Sequence, residues 1–170
     1  MPNVHVREAL ERAKGLFAER PTAARKSNAS ATAVLTEGLR CDIRGPDGEH
    51  ATSDMPKPMG GEGSGPNPGW YFRASIASCA ATAVAMQAAA QGISLARLEV
   101  AVHSESDARG LFGMGDVSAA LSNLRMEVTI SAPGAPAQQL EQLIAWAEAH
   151  SPVSCTLRSN PAVALQIQVV

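Results

Sequence analysis

The sequence predicts an α+β fold, because helical and strand-like patterns follow one another irregularly instead of repeating as β-α units. The expected order is helix, hairpin, long loop, long helix, strand, strand, helix and strand. Two observations carry this prediction. Residues 74–90 contain no charged residue, which indicates a long buried helix, and residues 125–131 alternate apolar with polar side chains, which indicates a half-buried strand. The central helix is rich in small residues on every side, so we expect it to form the core.

The first part of the chain is predicted to hold a helix, a hairpin and a long loop. Apolar residues recur at helical spacing over residues 4–19, and Pro21 ends that helix. Residues 30–44 contain many strand formers around a Glu-Gly turn, which predicts two paired strands. Residues 45–69 hold many of the glycines and prolines and are expected to form turns and a loop.

The second part begins with the central helix. Asn67 is expected to cap it, Pro68 to occupy its first position and Gly92 to end it. The remaining segments are predicted as a strand within residues 96–106, an irregular segment with a short helical turn late in 107–121, a strand at 125–131, an amphipathic helix at 137–149, a turn at 151–161 and a terminal strand at 164–170.

Length and composition restrict the class of protein. A chain of 170 residues with a net charge of −2 fits one domain of ordinary size. Basic runs are absent and aromatic residues make up 4% of the sequence, which argues against a nucleic-acid surface. Alanine is too weakly apolar for the central helix to be read as a membrane span. The three cysteines have no Cys-x-x-Cys spacing and the N-terminus does not resemble a signal peptide, so we expect a cytoplasmic protein.

The role of Cys79 in the central helix has two interpretations. The first is a small buried hydrophobic residue, because free cysteine is among the most buried residue types. The second is a nucleophile, which needs a nearby cation. Cys79 lies about three turns into the helix, beyond the reach of the helix dipole, and Arg73 falls on roughly the opposite side. The cation would therefore have to come from elsewhere, and Arg40 or Arg44 of the predicted hairpin could reach the thiol through the fold.

Several segments resemble one known family. Residues 59–79 are similar to the Gly-Gly loop, the Asn-Pro helix start and the Ala-Ser-Cys helix of the OsmC/Ohr family. The likeness continues through the end of the central helix, the strand at 97–106 and the late helix that ends in His-Ser-Pro-Val at 150–153. It covers residues 28–170, and residues 1–27 are expected to form an N-terminal helical leader.

The resemblance implies a fold in which antiparallel sheets pack around two central helices in an intertwined homodimer. It also implies thiol-dependent reduction of organic hydroperoxides in defence against oxidative stress. In the family, a peroxidatic cysteine on the central helix attacks the peroxide and a resolving cysteine then closes a disulfide. An arginine holds the thiolate, and a glutamate holds the arginine. We expect no cofactor and no metal.

Carried over residue by residue, the family pattern fits in part. Cys79 stands at the position of the peroxidatic cysteine, but Ser151 stands at the resolving position and Gly69 at that of the glutamate. Arg40 is the preferred match for the arginine, and Arg44 is the second choice. The expected activity is that of a one-cysteine thiol peroxidase that needs an external thiol reductant.

Cys155 lies four residues beyond Ser151. If the chain is extended there, the two positions are about 13 Å apart. A disulfide needs Cα atoms closer than about 7 Å. We therefore expect Cys155 to be an ordinary strand residue and not a substitute resolving thiol.

Other functions remain as alternatives. The chain could be a catalytically degenerate family member that binds a small apolar or thiol-reactive ligand, or a structural protein with a filled core. His150 beside Ser151 suggests a hydrolase pair only weakly, since adjacent side chains rarely meet productively. The other histidines lack the spacing of metal ligands. Trp70 and Tyr71 are expected to pack in the dimer core, with the wall of the pocket that leads to Cys79 as the alternative.

Overall fold

The computed structural model describes residues 4–170, and its α+β architecture confirms the predicted fold class. The helices are α1 (Val4–Glu19), α2 (Pro68–Ala90), α3 (Ala108–Leu111), α4 (Ala137–His150) and α5 (Pro152–Ser159), with 3₁₀ turns at Pro21–Ala24 and Lys57–Met59. The strands are β1 (Thr32–Glu37), β2 (Arg40–Arg44), β3 (His50–Ser53), β4 (Arg97–Glu105) and β5 (Ser122–Ser131).

The strands form two sheets. Strands β1, β2 and β3 form an antiparallel sheet in that order, and β4 pairs with β5. In the first sheet Cys41 of β2 lies opposite Leu35 on one side and Ser53 on the other. The register shifts between Leu35 and Glu37, just before Gly38 turns the chain with a positive φ of 56°. The predicted hairpin is therefore confirmed, whereas β3 lies in a segment for which the sequence predicts turns and a loop.

The chain divides into two compact units. The first contains residues 4–10, 76–101 and 126–170. Its core is formed by Val84 and Ala88 of α2 against Leu143 and Ala147 of α4, all no more than 2% exposed. Burying a side chain such as Leu143 contributes about 1.5–3 kcal/mol.

The second unit contains residues 11–75 and 102–125. The glycine-rich loop of this unit, residues 60–65, is organised by Asp54. Asp54 is buried and accepts hydrogen bonds from the N–H groups of Met55 (2.8 Å), Glu62 (3.1 Å) and Ser64 (3.0 Å). The hydroxyl of Ser64 donates a fourth bond at 2.9 Å. A side chain at Gly61 would overlap the carbonyl oxygen of Met55, so the loop needs glycine there.

Helix α2 begins and ends as its sequence predicts. The side chain of Asn67 accepts a hydrogen bond from the N–H of Trp70 at 2.9 Å, and Pro68 is the first helical residue. Gly92 adopts a φ of 71°, and the N–H of Ile93 returns to the carbonyl of Ala88 at 2.8 Å. The boundaries of this helix are therefore set by local residues.

Three predictions for other segments are wrong. The segment 151–161, predicted as a turn, forms α5, because Ser151 caps a helix whose first residue is Pro152. The predicted terminal strand has no regular structure, and its apolar side chains are largely exposed. A strand needs a neighbouring strand with which its backbone N–H and C=O groups can pair. Within residues 4–170 no strand pairs with this segment. The short helix in 107–121 comes early in that segment, as α3.

Candidate functional site

The central feature of the first unit is a contact between Cys79 and Ser151. Cys79 lies in the middle of α2 and is half-buried. Ser151 joins α4 to α5 and is fully buried. The Oγ of Ser151 donates a hydrogen bond to the Sγ of Cys79 at 3.1 Å. Two positions that are 72 residues apart in the sequence are thus in direct contact.

Ser151 is held in place by the start of α5. Its Oγ accepts a bond from the N–H of Ser154 at 3.4 Å, which makes it the N-cap of that helix. The hydroxyl thus joins the thiol to the backbone of α5. It can orient the sulfur and donate a hydrogen bond to it, but it cannot form a disulfide. Ser154 is itself buried, and its hydroxyl has no partner within the described residues.

The two candidate arginines share one carboxylate. The Nη2 of Arg40 lies 3.7 Å from an oxygen of Asp42, and the Nη2 of Arg44 lies 3.2 Å from the other. Arg40 also lines a cavity of about 260 Å³ in the second unit, together with Asp54 and Glu62. Arg40, the preferred match for the family's arginine, thus lies beside the glycine-rich loop, where carboxylates are close by.

Gly69 stands beside an arginine to which the sequence assigns no role. A Cβ at Gly69 would lie 3.7 Å from the Nη1 of Arg73 and 3.3 Å from the Oδ1 of Asn67. Arg73 donates a hydrogen bond to the Oγ of Ser104 at 3.2 Å. A carboxylate at position 69 would therefore be next to Arg73. The four-residue spacing along a helix could have predicted this neighbour from the sequence.

The expected position of Cys155 is wrong because the chain after Ser151 is helical. The N–H of Cys155 donates to the carbonyl of Ser151 at 2.8 Å. Four residues of helix advance only about 6 Å, less than half of the distance expected for an extended chain. Cys155 is half-buried on α5 and is not a strand residue.

The other candidate residues, His150, Trp70 and Tyr71, make contacts that stabilise the fold. The ring of His150 stacks on Trp146 with centroids 4.1 Å apart, and its Nδ1 bonds to the carbonyl of Trp146 at 2.7 Å. Tyr71 donates its hydroxyl to the carbonyl of Thr52 at 2.7 Å and meets Trp70 edge to face. These contacts give His150 no catalytic partner and make Tyr71 an anchor for the start of α2.

Residues 4–170 contain neither a metal-binding cluster nor a membrane-spanning helix. In that range no three or more histidine, cysteine or acidic side chains are grouped so that they could hold a metal ion. No helix there is long and apolar enough to cross a bilayer.

The fold and the Cys79–Ser151 contact define an α+β protein whose central helix presents a thiol to the start of a second helix. Residues 61–166 match the family model described as OsmC-like protein. That range is more than half of the chain, so the chain belongs to the OsmC-like family. The match confirms the predicted resemblance. No curated protein is significantly similar to the chain in sequence.

Solved structures support the same fold. An OsmC-like protein from Mycoplasma pneumoniae is similar with a TM-score of 0.66 and 19% identity, covering 79% of this chain and 89% of that one. The organic hydroperoxide resistance protein OsmC of Legionella pneumophila has a TM-score of 0.57 and 25% identity, over 79% and 93%. The organic hydroperoxide resistance protein OhrB of Bacillus subtilis has a TM-score of 0.53 and 21% identity, again over 79% and 93%.

Proposed function

We propose that this protein reduces organic hydroperoxides with Cys79 as the attacking thiol. The observation that carries the proposal is the 3.1 Å contact between the Sγ of Cys79 and the Oγ of Ser151, within the family-matching residues. The names of the Legionella and Bacillus proteins, both organic hydroperoxide resistance proteins, support the choice of substrate. We place this reaction in the reducing cytoplasm, where free thiols persist.

In the proposed reaction the sulfur of Cys79 attacks the terminal peroxide oxygen. The O–O bond breaks, the alcohol leaves with a proton, and Cys79 becomes a sulfenic acid. The Ser151 hydroxyl donates to the sulfur and keeps it oriented. Because Ser151 carries no thiol, an external thiol displaces water from the sulfenic acid and forms a mixed disulfide. A second thiol then restores Cys79. Arg40, or Arg44 in second place, is proposed as the cation that supports the thiolate.

We also propose that the protein works as an intertwined homodimer. The segment 161–170 leaves Val163, Leu165, Ile167 and Val169 between 77% and 93% exposed. Large apolar side chains left this exposed, several within one short segment, favour a surface that another chain covers. Light scattering at micromolar concentration should give twice the mass of one chain. A monodisperse monomer would contradict this part of the proposal.

The peroxidase proposal is tested by measuring consumption of tert-butyl hydroperoxide with dithiothreitol as the reductant. Wild type and the Cys41→Ser control should turn over, and Cys79→Ser should not. Mass spectrometry after excess peroxide without reductant should find sulfinic and sulfonic acid on Cys79. Equal consumption by both variants would show that Cys79 is not the peroxidatic thiol.

A second candidate is binding without turnover. Gly69 carries no carboxylate and Ser151 carries no thiol, so two of the groups that the resemblance implies are missing. A small apolar or thiol-reactive ligand would then be retained beside Cys79 without being reduced. Saturable binding of a hydroperoxide analogue with no peroxide consumption would favour this function.

A further inference from the structure

A second cluster in the first unit contains a thiol, a guanidinium and a carboxylate. Cys155 and Arg158 lie one turn apart on α5, and Glu148 lies near the end of α4. The Nη2 of Arg158 donates hydrogen bonds to the Sγ of Cys155 at 3.2 Å and to the carbonyl of Glu148 at 3.0 Å. The Nη1 of Arg158 forms an ion pair with the carboxylate of Glu148. The guanidinium is therefore fixed beside the sulfur by two bonds to one residue.

The surroundings of Cys155 suit a nucleophile. A cationic neighbour and partial exposure distinguish reactive cysteines from inert buried ones. Cys155 is half-buried, and the side chain of Arg158 is 50% exposed, so small molecules can reach the pair. The thiol proton points to the carbonyl of Ala149 at 3.2 Å. Loss of that proton leaves the sulfur with a charge-assisted bond from Arg158.

The other two thiols have different neighbours. Cys79 accepts its bond from the neutral hydroxyl of Ser151, and Cys41 lies in the middle strand of the first sheet. Among the described residues, Cys155 is thus the one cysteine that receives a hydrogen bond from a charged group. The Oε2 of Glu148 is also buried without a hydrogen-bond partner in this part of the chain.

We propose that Cys155, Arg158 and Glu148 form a second thiol site, separate from Cys79, that takes small disulfides. The sulfur of Cys155 attacks one sulfur of the disulfide, whose S–S bond breaks as a mixed disulfide to Cys155 forms. The other half leaves as a thiol and carries away the proton of Cys155. Arg158 stabilises the charge on the sulfur, and Glu148 positions Arg158. The half-buried thiol favours a small disulfide over one within a folded protein.

The probe for this site is 2-hydroxyethyl disulfide, and peptide mass spectrometry follows the modification of each cysteine of the full chain. Cys155 should be modified before Cys41 and Cys79. Arg158→Gln should slow the modification of Cys155 by roughly three- to tenfold, since it removes the charged donor from the sulfur. Arg158→Lys keeps the charge and should retain most of the rate. Glu148→Gln should also slow the modification of Cys155, since Arg158 then loses the ion pair that positions it.

Salt supplies a test that does not depend on a variant folding. At about 1 M salt the screening length falls to about 3 Å, so modification of Cys155 in the wild type should slow while that of Cys41 stays constant. The proposal is overturned if Cys155 reacts no faster than Cys41 in the native protein. It is also overturned if Arg158→Gln and high salt both leave the rate unchanged. Neither result depends on peroxide turnover at Cys79, which is measured separately with Cys79→Ser.

Discussion

The substitution Ser151→Cys should let Cys79 form a disulfide that the natural sequence cannot make. The Oγ of Ser151 already lies 3.1 Å from the Sγ of Cys79. A disulfide bond is about 2.05 Å long, so the two side chains must approach by about 1 Å. Because Cys79 is only half-buried, a rotation of either side chain can supply that movement without disturbing the core of α2 and α4.

The expected gain in stability follows from the loop that the disulfide closes. The two positions are 72 residues apart. In the chain-entropy model, closing a loop of this length stabilises the folded state by about 4.4 kcal/mol at 25 °C. Loss of the serine N-cap of α5 costs about 1 kcal/mol. The oxidised variant should therefore be more stable than wild type by about 3 kcal/mol, which corresponds to a melting temperature higher by about 6–12 °C.

The assay combines peptide mass spectrometry with thermal melts in the presence and absence of dithiothreitol. Reduction should remove the gain and leave the variant about 1 kcal/mol below wild type. The matched control is Ser151→Cys combined with Cys155→Ser, since a new thiol at position 151 lies one helical turn from Cys155 and could pair with it. If the control forms no disulfide between Cys79 and the introduced thiol under oxidant, the contact between α2 and the start of α5 has been described wrongly.

Three further outcomes are expected. Leu143→Ala removes most of a side chain that is 1% exposed and leaves a cavity, so urea titration should show a loss of about 2–5 kcal/mol in the free energy of unfolding. A loss below about 1 kcal/mol would contradict the described core. Hydrogen bonds from the N–H and the hydroxyl of Ser64 lower the pKa of Asp54, although burial opposes them. The carboxylate therefore stabilises the fold fully above its ordinary pKa of 3.8, and this stabilisation is lost as the pH falls through the lowered pKa of the folded state. The stability difference between wild type and Asp54→Asn should therefore shrink from pH 7 to pH 2, and a constant difference would exclude this role. Gly69→Glu should stabilise α2 by about 0.3–0.5 kcal/mol more than Gly69→Gln at low salt, through the pair with Arg73, and equal stability of the two variants would exclude that pair.

The parts of the fold that sequence predicts well are those set by neighbouring residues. Asn67 and Pro68 start α2 and Gly92 ends it through bonds that reach no further than five positions. The hairpin of β1 and β2 depends likewise on a short turn at Gly38. In such cases the side chains that decide the structure are all visible within one short window.

The failures occur where the deciding partner is distant or where one local signal has two meanings. Ser151-Pro152 suggests a break in the sequence, but the same pair of residues is also a good helix start, and α5 follows it. The segment 164–170 alternates as a strand does, yet alternation alone cannot supply a partner strand. Strand β3 is short, and its place in the sheet depends on pairing with β2.

The thiols show the same limit for chemistry. The sequence singles out Cys79, because it stands in a helix that resembles a known motif, and it treats Cys155 as ordinary. Reactivity depends instead on the charge that the fold brings to the sulfur. The guanidinium of Arg158 reaches Cys155 because α5 is helical, which places residues three positions apart on one face, and because Glu148 of the preceding helix fixes it. Once the segment is known to be helical, the spacing of Cys155 and Arg158 predicts their contact, so one error in secondary structure hid the guanidinium beside this thiol.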